Sequence, residues 1–219
     1  MEYVQRSSPI SLPGEALSLR QDSGWTVVTE YAGETDGPFA VDLSHIGKWD
    51  FQSAHLDRAD TGGLSLPKVP GDCSLREGIL VMRLNPGQAA VWNLGAGPFF
   101  PPDSRMVTDV SEGSALLGIL GAEGPWILEK LTDLDLSPPG LPEATLWQGP
   151  LGGVPCRVVR LLGSDGIPGI LVAFSRGYGR DMVSAILEAG REFGLEPGGE
   201  QRMTDFLASC RRVNPCSSH

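Results

Sequence analysis

Three histidines, four cysteines and a scatter of carboxylates are the groups in this 219-residue chain that could do chemistry. Their spacing excludes more than it allows. His45 stands in Asp42-Leu43-Ser44-His45, His55 in a short polar stretch, and His219 is the last residue of the sequence. A Ser-His-Asp set can be written from Ser44, His45 and Asp42, but neighbours in sequence rarely converge in space, and Gly-x-Ser-x-Gly does not occur. Hydrolytic chemistry is therefore rejected, and His45 reads as a hydrogen-bonding group of a turn. Cys73, Cys156, Cys210 and Cys216 form no Cys-x-x-Cys and have no histidine at finger spacing, which argues against zinc. Cys210 and Cys216 flank a basic, Pro-containing stretch and read as two frayed thiols rather than a ligand pair or a disulfide. Asp133-Leu134-Asp135 reads as a solvated turn. Neither Gly-x-Gly-x-x-Gly nor Gly-x-x-x-x-Gly-Lys-Ser/Thr is present, so phosphate cradles are unsupported. No catalytic set and no metal set emerge. The most interesting polar residue is Asn93, beside Trp92 at the end of an apolar run. Its amide offers one acceptor and two donors, suited to a planar heterocycle, or it serves simply as a turn residue before Gly95.

Composition narrows the partners. A formal net charge of −10 opposes binding to nucleic acid or to anionic lipid. No apolar run approaches the ~20 residues of a membrane helix. Met1-Glu2-Tyr3-Val4-Gln5-Arg6 lacks the basic-then-apolar layout of a signal peptide, so a cytoplasmic location is expected.

The elements that must position these residues follow from periodicity. Around 40–52, a polar Asp-x-Ser-His turn opens into an alternation of Ile46, Lys48, Asp50 against Gly47, Trp49, Phe51, which predicts one strand with a Trp/Phe core face. The device recurs at Asp109-Val110-Ser111-Glu112, followed by the apolar run 115–120 and a helical segment, suggesting a duplicated unit of turn, strand and helix. Residues 1–24 read as an extended arm and 25–31 as a strand. Ser53 is placed to cap a short helix through 54–58. Two apolar runs around Asn85-Pro86-Gly87 predict a β-hairpin. A helix is expected near 123–131, strands at 141–148, 153–162 and 169–174, and an amphipathic helix at 181–193 carrying Met182, Ile186, Leu187 and Phe193. Another short helix is expected at 203–210. The whole reads as α+β, two related subdomains with largely antiparallel sheets and flanking helices. The expected divisions are 1–35 (arm and first strand), 36–100 and 101–200 (the two α+β units), and 201–219 (tail).

Several of these residues carry a resemblance. Asp42-Leu43-Ser44-His45-Ile46-Gly47-Lys48 resembles the Asp-x-Ser-His-Met-Gly-Lys opening of the glycine-cleavage T-protein (aminomethyltransferase) superfamily. Thr108-Asp109-Val110-Ser111 and the stretch 120–136, with its Gly124-Pro125-Trp126, resemble that family's second half. Leu66-Pro67-x-x-Pro70, Arg83-Leu84-x-Pro86-Gly87 and the segment after Ser175-Arg176-Gly177-Tyr178 are most similar to the gamma subunit of heterotetrameric sarcosine oxidase. The resemblance covers about residues 36–195. It implies the folate-binding fold of two α+β subdomains without the family's C-terminal barrel. It also implies tetrahydrofolate as the one cofactor to consider; none is firmly indicated.

Residue by residue, the resemblance aligns Asn93, beside Trp92, with a folate-contacting Asn, and Arg160 with an Arg that precedes the family's Gly-Tyr-Thr-Gly-Glu turn. Arg76-Glu77-Gly78 replaces the family's paired aspartates, so Glu77 is the nearest carboxylate. The turn itself is replaced by 161–166, and the following Glu is lost near Pro168-Gly169. With those carboxylates absent, the resemblance implies an accessory subunit of a flavin- and folate-bearing oxidase complex, packed against protein partner subunits. The alternative is a small tetrahydrofolate-dependent transferase in which Asn93 orients the pterin and Glu77 moves the proton. The motif Lys-Gly-Cys-Tyr-x-Gly-Gln-Glu of the iron–sulfur-repair branch does not occur.

Overall fold

The computed structural model describes residues 4–95, 97 and 99–210. Its strands are β1 (Ala16–Asp22), β2 (Trp25–Tyr31), β3 (Phe39–Asp42), β4 (Lys48–Gln52), β5 (Cys73–Arg76), β6 (Ile79–Asn85), β7 (Gln88–Asn93), β8 (Val107–Asp109), β9 (Ser114–Leu120), β10 (Ala144–Leu151), β11 (Val154–Leu162), β12 (Pro168–Ser175) and β13 (Glu196–Gly198). Its helices are α1 (Gly124–Glu129), α2 (Gly179–Gly190) and α3 (Glu200–Cys210). The class is α+β with mostly antiparallel pairing.

β9 explains the layering. Every second residue of its apolar run, Ala115, Leu117 and Ile119, packs with α1 and α2 through Ile127, Leu128, Met182, Val183 and Ile186. The intervening residues, Leu116 and Leu120, face the other way, into a second core. A strand buried on both faces must be apolar at both parities. β9 lies inside a six-stranded sheet ordered β10-β11-β12-β9-β3-β13. Across the second core lies a five-stranded sheet, β5-β6-β7-β4-β8, which contributes Leu80, Met82, Ala90 and Trp92. The far face of that sheet, with Phe51, Val81 and Val91, is covered by Leu56, Leu64, Leu66 and Phe99. Among the strand ladders of the described residues, only the three-residue pairing of β13 with β3 is parallel.

The stretch 40–52 is not the single strand its alternation predicts. Asp42 Oδ1 accepts the Ser44 N–H at 2.9 Å, turning the chain after β3. β3 then belongs to the six-stranded sheet and β4 to the five-stranded one. The polar face of the alternation is also inside: Lys48 is fully buried and Asp50 nearly so. Asp109 Oδ1 accepts the Ser111 N–H at the same 2.9 Å, so the repeated Asp-x-Ser builds the same turn twice. Its second copy carries the chain back, from β8 in the five-stranded sheet to β9 in the six-stranded one. Residues 36–100 and 101–200 therefore exchange strands, with β3 hydrogen-bonded to β9 and β8 to β4.

Three local expectations change. The arm at 1–24 contains β1, because Ser23 and Gly24 take positive φ (49° and 91°) and close a two-residue hairpin with β2. The helix at 54–58 reduces to one 3-10 turn, Leu56–Arg58, with Ser53 Oγ accepting the His55 N–H. Cys210 is not frayed: it is buried with Met203 and Leu207 where α3 closes the end of the inter-sheet core. Cys216 lies outside the described residues. The hairpin around Asn85-Pro86-Gly87 is β6–β7, and the helices near 123–131, 181–193 and 203–210 are α1, α2 and α3 with shifted ends.

Candidate functional site

The two Asp-x-Ser turns lie side by side and stabilise one another. Ser111 Oγ accepts the Lys48 N–H at 2.8 Å, and Ser44 Oγ accepts the Leu116 N–H at 3.3 Å. Ser44 thus bonds to a strand and not to His45, which disposes of the triad written on paper. Beneath the first turn, Lys48 Nζ donates to the carbonyls of Ser44 and Ile46, each at 2.9 Å. Burial pushes its ammonium down to about 8, against the opposing pull of Asp42 and Asp109. Lys48 therefore fixes the backbone on both sides of His45.

Above these turns opens a cleft of about 940 Å³. One wall is aromatic. Trp49 and Phe99 meet edge to face with centroids 5.0 Å apart, and Phe100 and Trp25 also line the cleft. Gly47 is required here, since a Cβ would stand 2.2 Å from the Trp49 indole folded back over it. Another part of the lining is ionic. His45 Nε2 donates to Glu200 Oε1 at 2.8 Å. Arg20 grips both oxygens of Glu200 with Nη2 (2.7 Å) and Nε (3.1 Å). Its Nη1 donates to Asp22 Oδ2 at 2.9 Å. Burial pulls the Glu200 carboxyl up, but the bonds from His45 and Arg20 outweigh it and hold the group at about 2. Arg6 pairs with Glu112 at 2.9 Å on the third side. Two guanidinium groups face four carboxylates (Asp22, Asp109, Glu112, Glu200), so the cleft carries net negative charge.

Of the four residues aligned with folate binding, Asn93, Trp92, Arg160 and Glu77, only Asn93 lines this cleft. Its Oδ1 accepts the Gly95 N–H at 3.2 Å and its Nδ2 donates to the Gly97 carbonyl at 2.9 Å, so it is also a turn residue. Trp92, next in line, points into the inter-sheet core and is 1% exposed. Glu77, with φ 50°, sits at the β5–β6 turn and lines a different cavity, about 810 Å³, with Cys73, Leu75 and Leu161. Arg160 stands on the face of β11 that carries Cys156 and Val158, with Nη1 buried and without a hydrogen-bond partner; burial lowers its pKa. The four do not converge. The ionic cluster of Arg20, Asp22, His45 and Glu200 went unrecognised in the sequence. The one available signal was Gly198-Gly199-Glu200, an acidic residue opening an apolar-periodic stretch. No group of three or more His, Cys, Asp or Glu suited to a metal occurs among the described residues.

A tetrahydrofolate-sized ligand has room against the aromatic wall, but the polar groups match it poorly. Asn93 already spends its acceptor and one donor on its own loop, and no unpaired carboxylate faces that wall among the described residues.

Comparisons with known proteins agree with this architecture. No family model matches the chain. It is 28% identical to the aminomethyltransferase of Streptomyces avermitilis over an alignment covering 81% of this chain and 55% of that protein. It is 33% identical to the aminomethyltransferase of Bacteroides thetaiotaomicron over 89 residues, 41% of this chain and 24% of that one. The chain thus spans about half the length, or less, of the curated relatives it matches. Among solved structures, a chain of the heterotetrameric sarcosine oxidase from Corynebacterium sp. U-96, in complex with pyrrole 2-carboxylate, superposes with a TM-score of 0.58 at 18% identity, covering 75% of this chain and 88% of that chain. The glycine cleavage system aminomethyltransferase T of Bartonella henselae also gives 0.58, at 16% identity, covering 88% and 58%. The chain is thus similar in sequence to aminomethyltransferases, and its fold is that shared by the glycine-cleavage T protein and a chain of heterotetrameric sarcosine oxidase.

Proposed function

We propose that this chain is a non-catalytic accessory subunit of a sarcosine-oxidase-like complex, one that oxidises an amine and handles one-carbon units in the cytoplasm. It packs against larger subunits that carry the flavin and folate chemistry. One observation carries the reading: every carboxylate of the cleft is already engaged. Glu200 is held by Arg20 and His45, Asp22 by Arg20, Glu112 by Arg6, and Asp109 closes its own turn. A general base for folate chemistry needs a pKa near the working pH, and Glu200 is displaced the opposite way, to about 2. The likeness to a chain of a heterotetramer, 88% of whose length is matched, supports an assembly role.

The alternative is a small tetrahydrofolate-dependent aminomethyl or one-carbon transferase. The size of the cleft and the place of Asn93 on its wall favour it. Glu77, its candidate proton carrier, lines the other cavity. Affinity purification of the tagged chain from its native host tests the two. Recovery with larger flavin-containing subunits is expected, together with absence of aminomethyl transfer by the isolated chain supplied with tetrahydrofolate. Turnover by the isolated chain, abolished in both Asn93→Ala and Glu77→Gln, would establish the transferase instead.

A further inference from the structure

We propose that Arg20 and His45 form a receptor for the carboxylate of a small organic acid, and that Glu200 occupies this receptor as an internal plug. The geometry is that of a bound ligand. A guanidinium edge meets both oxygens of one carboxylate, with Nη2 and Nε at 2.7 and 3.1 Å, and His45 Nε2 adds a third donor at 2.8 Å. Forked recognition of this kind is how proteins select a planar carboxylate over a spherical anion. The donors are held in place by separate devices. Asp22 ties down Nη1, leaving the Nε/Nη2 edge as the presented face. Lys48 clamps the carbonyls of Ser44 and Ile46, so the backbone around His45 cannot drift.

The three partners line the same cleft as Trp49 and Phe99, against which the body of a planar acid would lie. The side chain of His45 is 7% exposed and that of Glu200 is 20% exposed, so the carboxylate is largely withdrawn from water. Glu200 is also the first residue of α3, directly after Gly199 and the end of β13. A ligand carboxylate can replace its carboxylate by rotation of the Glu200 side chain, which leaves strand and helix in place. Competition with a tethered group weakens the ligand by the plug's effective concentration, so the site is shut against weak acids and admits those that also use the aromatic wall. Net negative charge in the cleft acts in the same direction.

The inference concerns the same cleft as the proposed function but does not depend on folate or on partner subunits, since the probe is benzoate. His45 imidazole resonances are followed by NMR as benzoate is added to the wild type, Glu200→Gln and Glu200→Gln/Arg20→Lys. The expected result is saturable binding to Glu200→Gln at least about tenfold tighter than to the wild type, and loss of binding with Arg20→Lys, which keeps the charge and removes the fork. Equal affinity in the wild type and Glu200→Gln, persistence in the Arg20→Lys background, or equal response to inorganic phosphate would overturn it. Should Glu200→Gln fail to fold, wild-type protein saturated with benzoate supplies the reading. Displacement raises the Glu200 carboxyl titration from about 2 toward its ordinary value near 4.5; an unmoved titration would overturn the proposal.

Discussion

Ser44 and Ser111 hydrogen-bond to each other's unit: Ser111 Oγ accepts the Lys48 N–H, and Ser44 Oγ accepts the Leu116 N–H. Both hydroxyls stand at the same place in an Asp-x-Ser turn, and together they join the two sheets at the floor of the cleft. Replacing either with Ala removes the acceptor of a backbone N–H, part-buried at Lys48 and buried at Leu116. Each single variant is expected to lose about 1–2 kcal/mol of stability, read as a lower urea midpoint at unchanged m-value. An unchanged midpoint in both would mean that water replaces the hydroxyls.

Asp50 and Arg157 form a further polar bridge between the sheets, with oxygen–nitrogen distances of 2.8 and 3.0 Å. Arg157→Met leaves Asp50 charged and nearly buried, so a loss of about 2 kcal/mol is expected in denaturant titration. Asp50→Leu combined with Arg157→Met is expected to recover most of it, because removing both charges also removes their desolvation cost. A double variant as weak as the single one would show that the pair itself is needed.

Glu200 predicts an acid-side signature. Its carboxyl is held at about 2 when folded, against an ordinary value near 4.5. A depressed folded pKa gives stability that is full above about 4.5 and is lost as pH falls toward about 2. Melting curves of the wild type and Glu200→Gln are therefore expected to diverge above pH 4.5 and to converge near pH 2. A difference independent of pH would deny the ionic origin.

Lys48 predicts the opposite edge of the profile. Its ammonium is pushed down to about 8 from 10.5 by burial. The penalty for burying charge is full below about 8 and is relieved as pH rises through 8 to 10.5, where the unfolded chain binds the additional proton. Relative to Lys48→Met, the wild type is expected to gain stability across that window in thermal melts. A flat difference would mean that the two carbonyls keep the lysine charged throughout.

Gly199 predicts that α3 is docked, not draped. A Cβ there would stand 2.0 Å from the Thr29 carbonyl oxygen, whereas one at Gly177 meets nothing within 4 Å. Gly199→Ala is expected to lower the melting temperature sharply and to raise amide exchange along α3, with Gly177→Ala near wild type. Equal behaviour of the two would place α3 off the β2 strand.

What the sequence disclosed follows the range of the forces involved. The β6–β7 hairpin was legible because Asn85-Pro86-Gly87 sets its turn locally, and α2 because Met182 and Ile186 repeat at helical spacing. β9 showed itself as an apolar run, though not that both its faces are covered. Lys48 and Asp50 were read as an outer face because a charge in a strand ordinarily meets water; their partners, two carbonyls and Arg157, are supplied only by the folded chain. His45 was recognised as a hydrogen-bonding turn residue, but Glu200 lies 155 positions away, beyond any local pattern. Asn93, singled out because it ends a strand beside a conspicuous Trp, lines the cleft. Glu77 and Arg160 came from resemblance alone, and the structure puts them elsewhere.

The exchange of β3 and β8 between the sheets bears on how the molecule is made. The six-stranded sheet lacks its penultimate strand unless β3, near residue 40, finds β9, near 117, and its last strand is not synthesised until residue 198. The five-stranded sheet likewise waits for β8. On the ribosome, neither half can mature while the other is still missing: β3 emerges first and waits for β9, and β9, apolar on both faces, must be shielded until β12 follows. Assembly should therefore be late, all-or-none and slow, with chaperone dependence concentrated on that one strand.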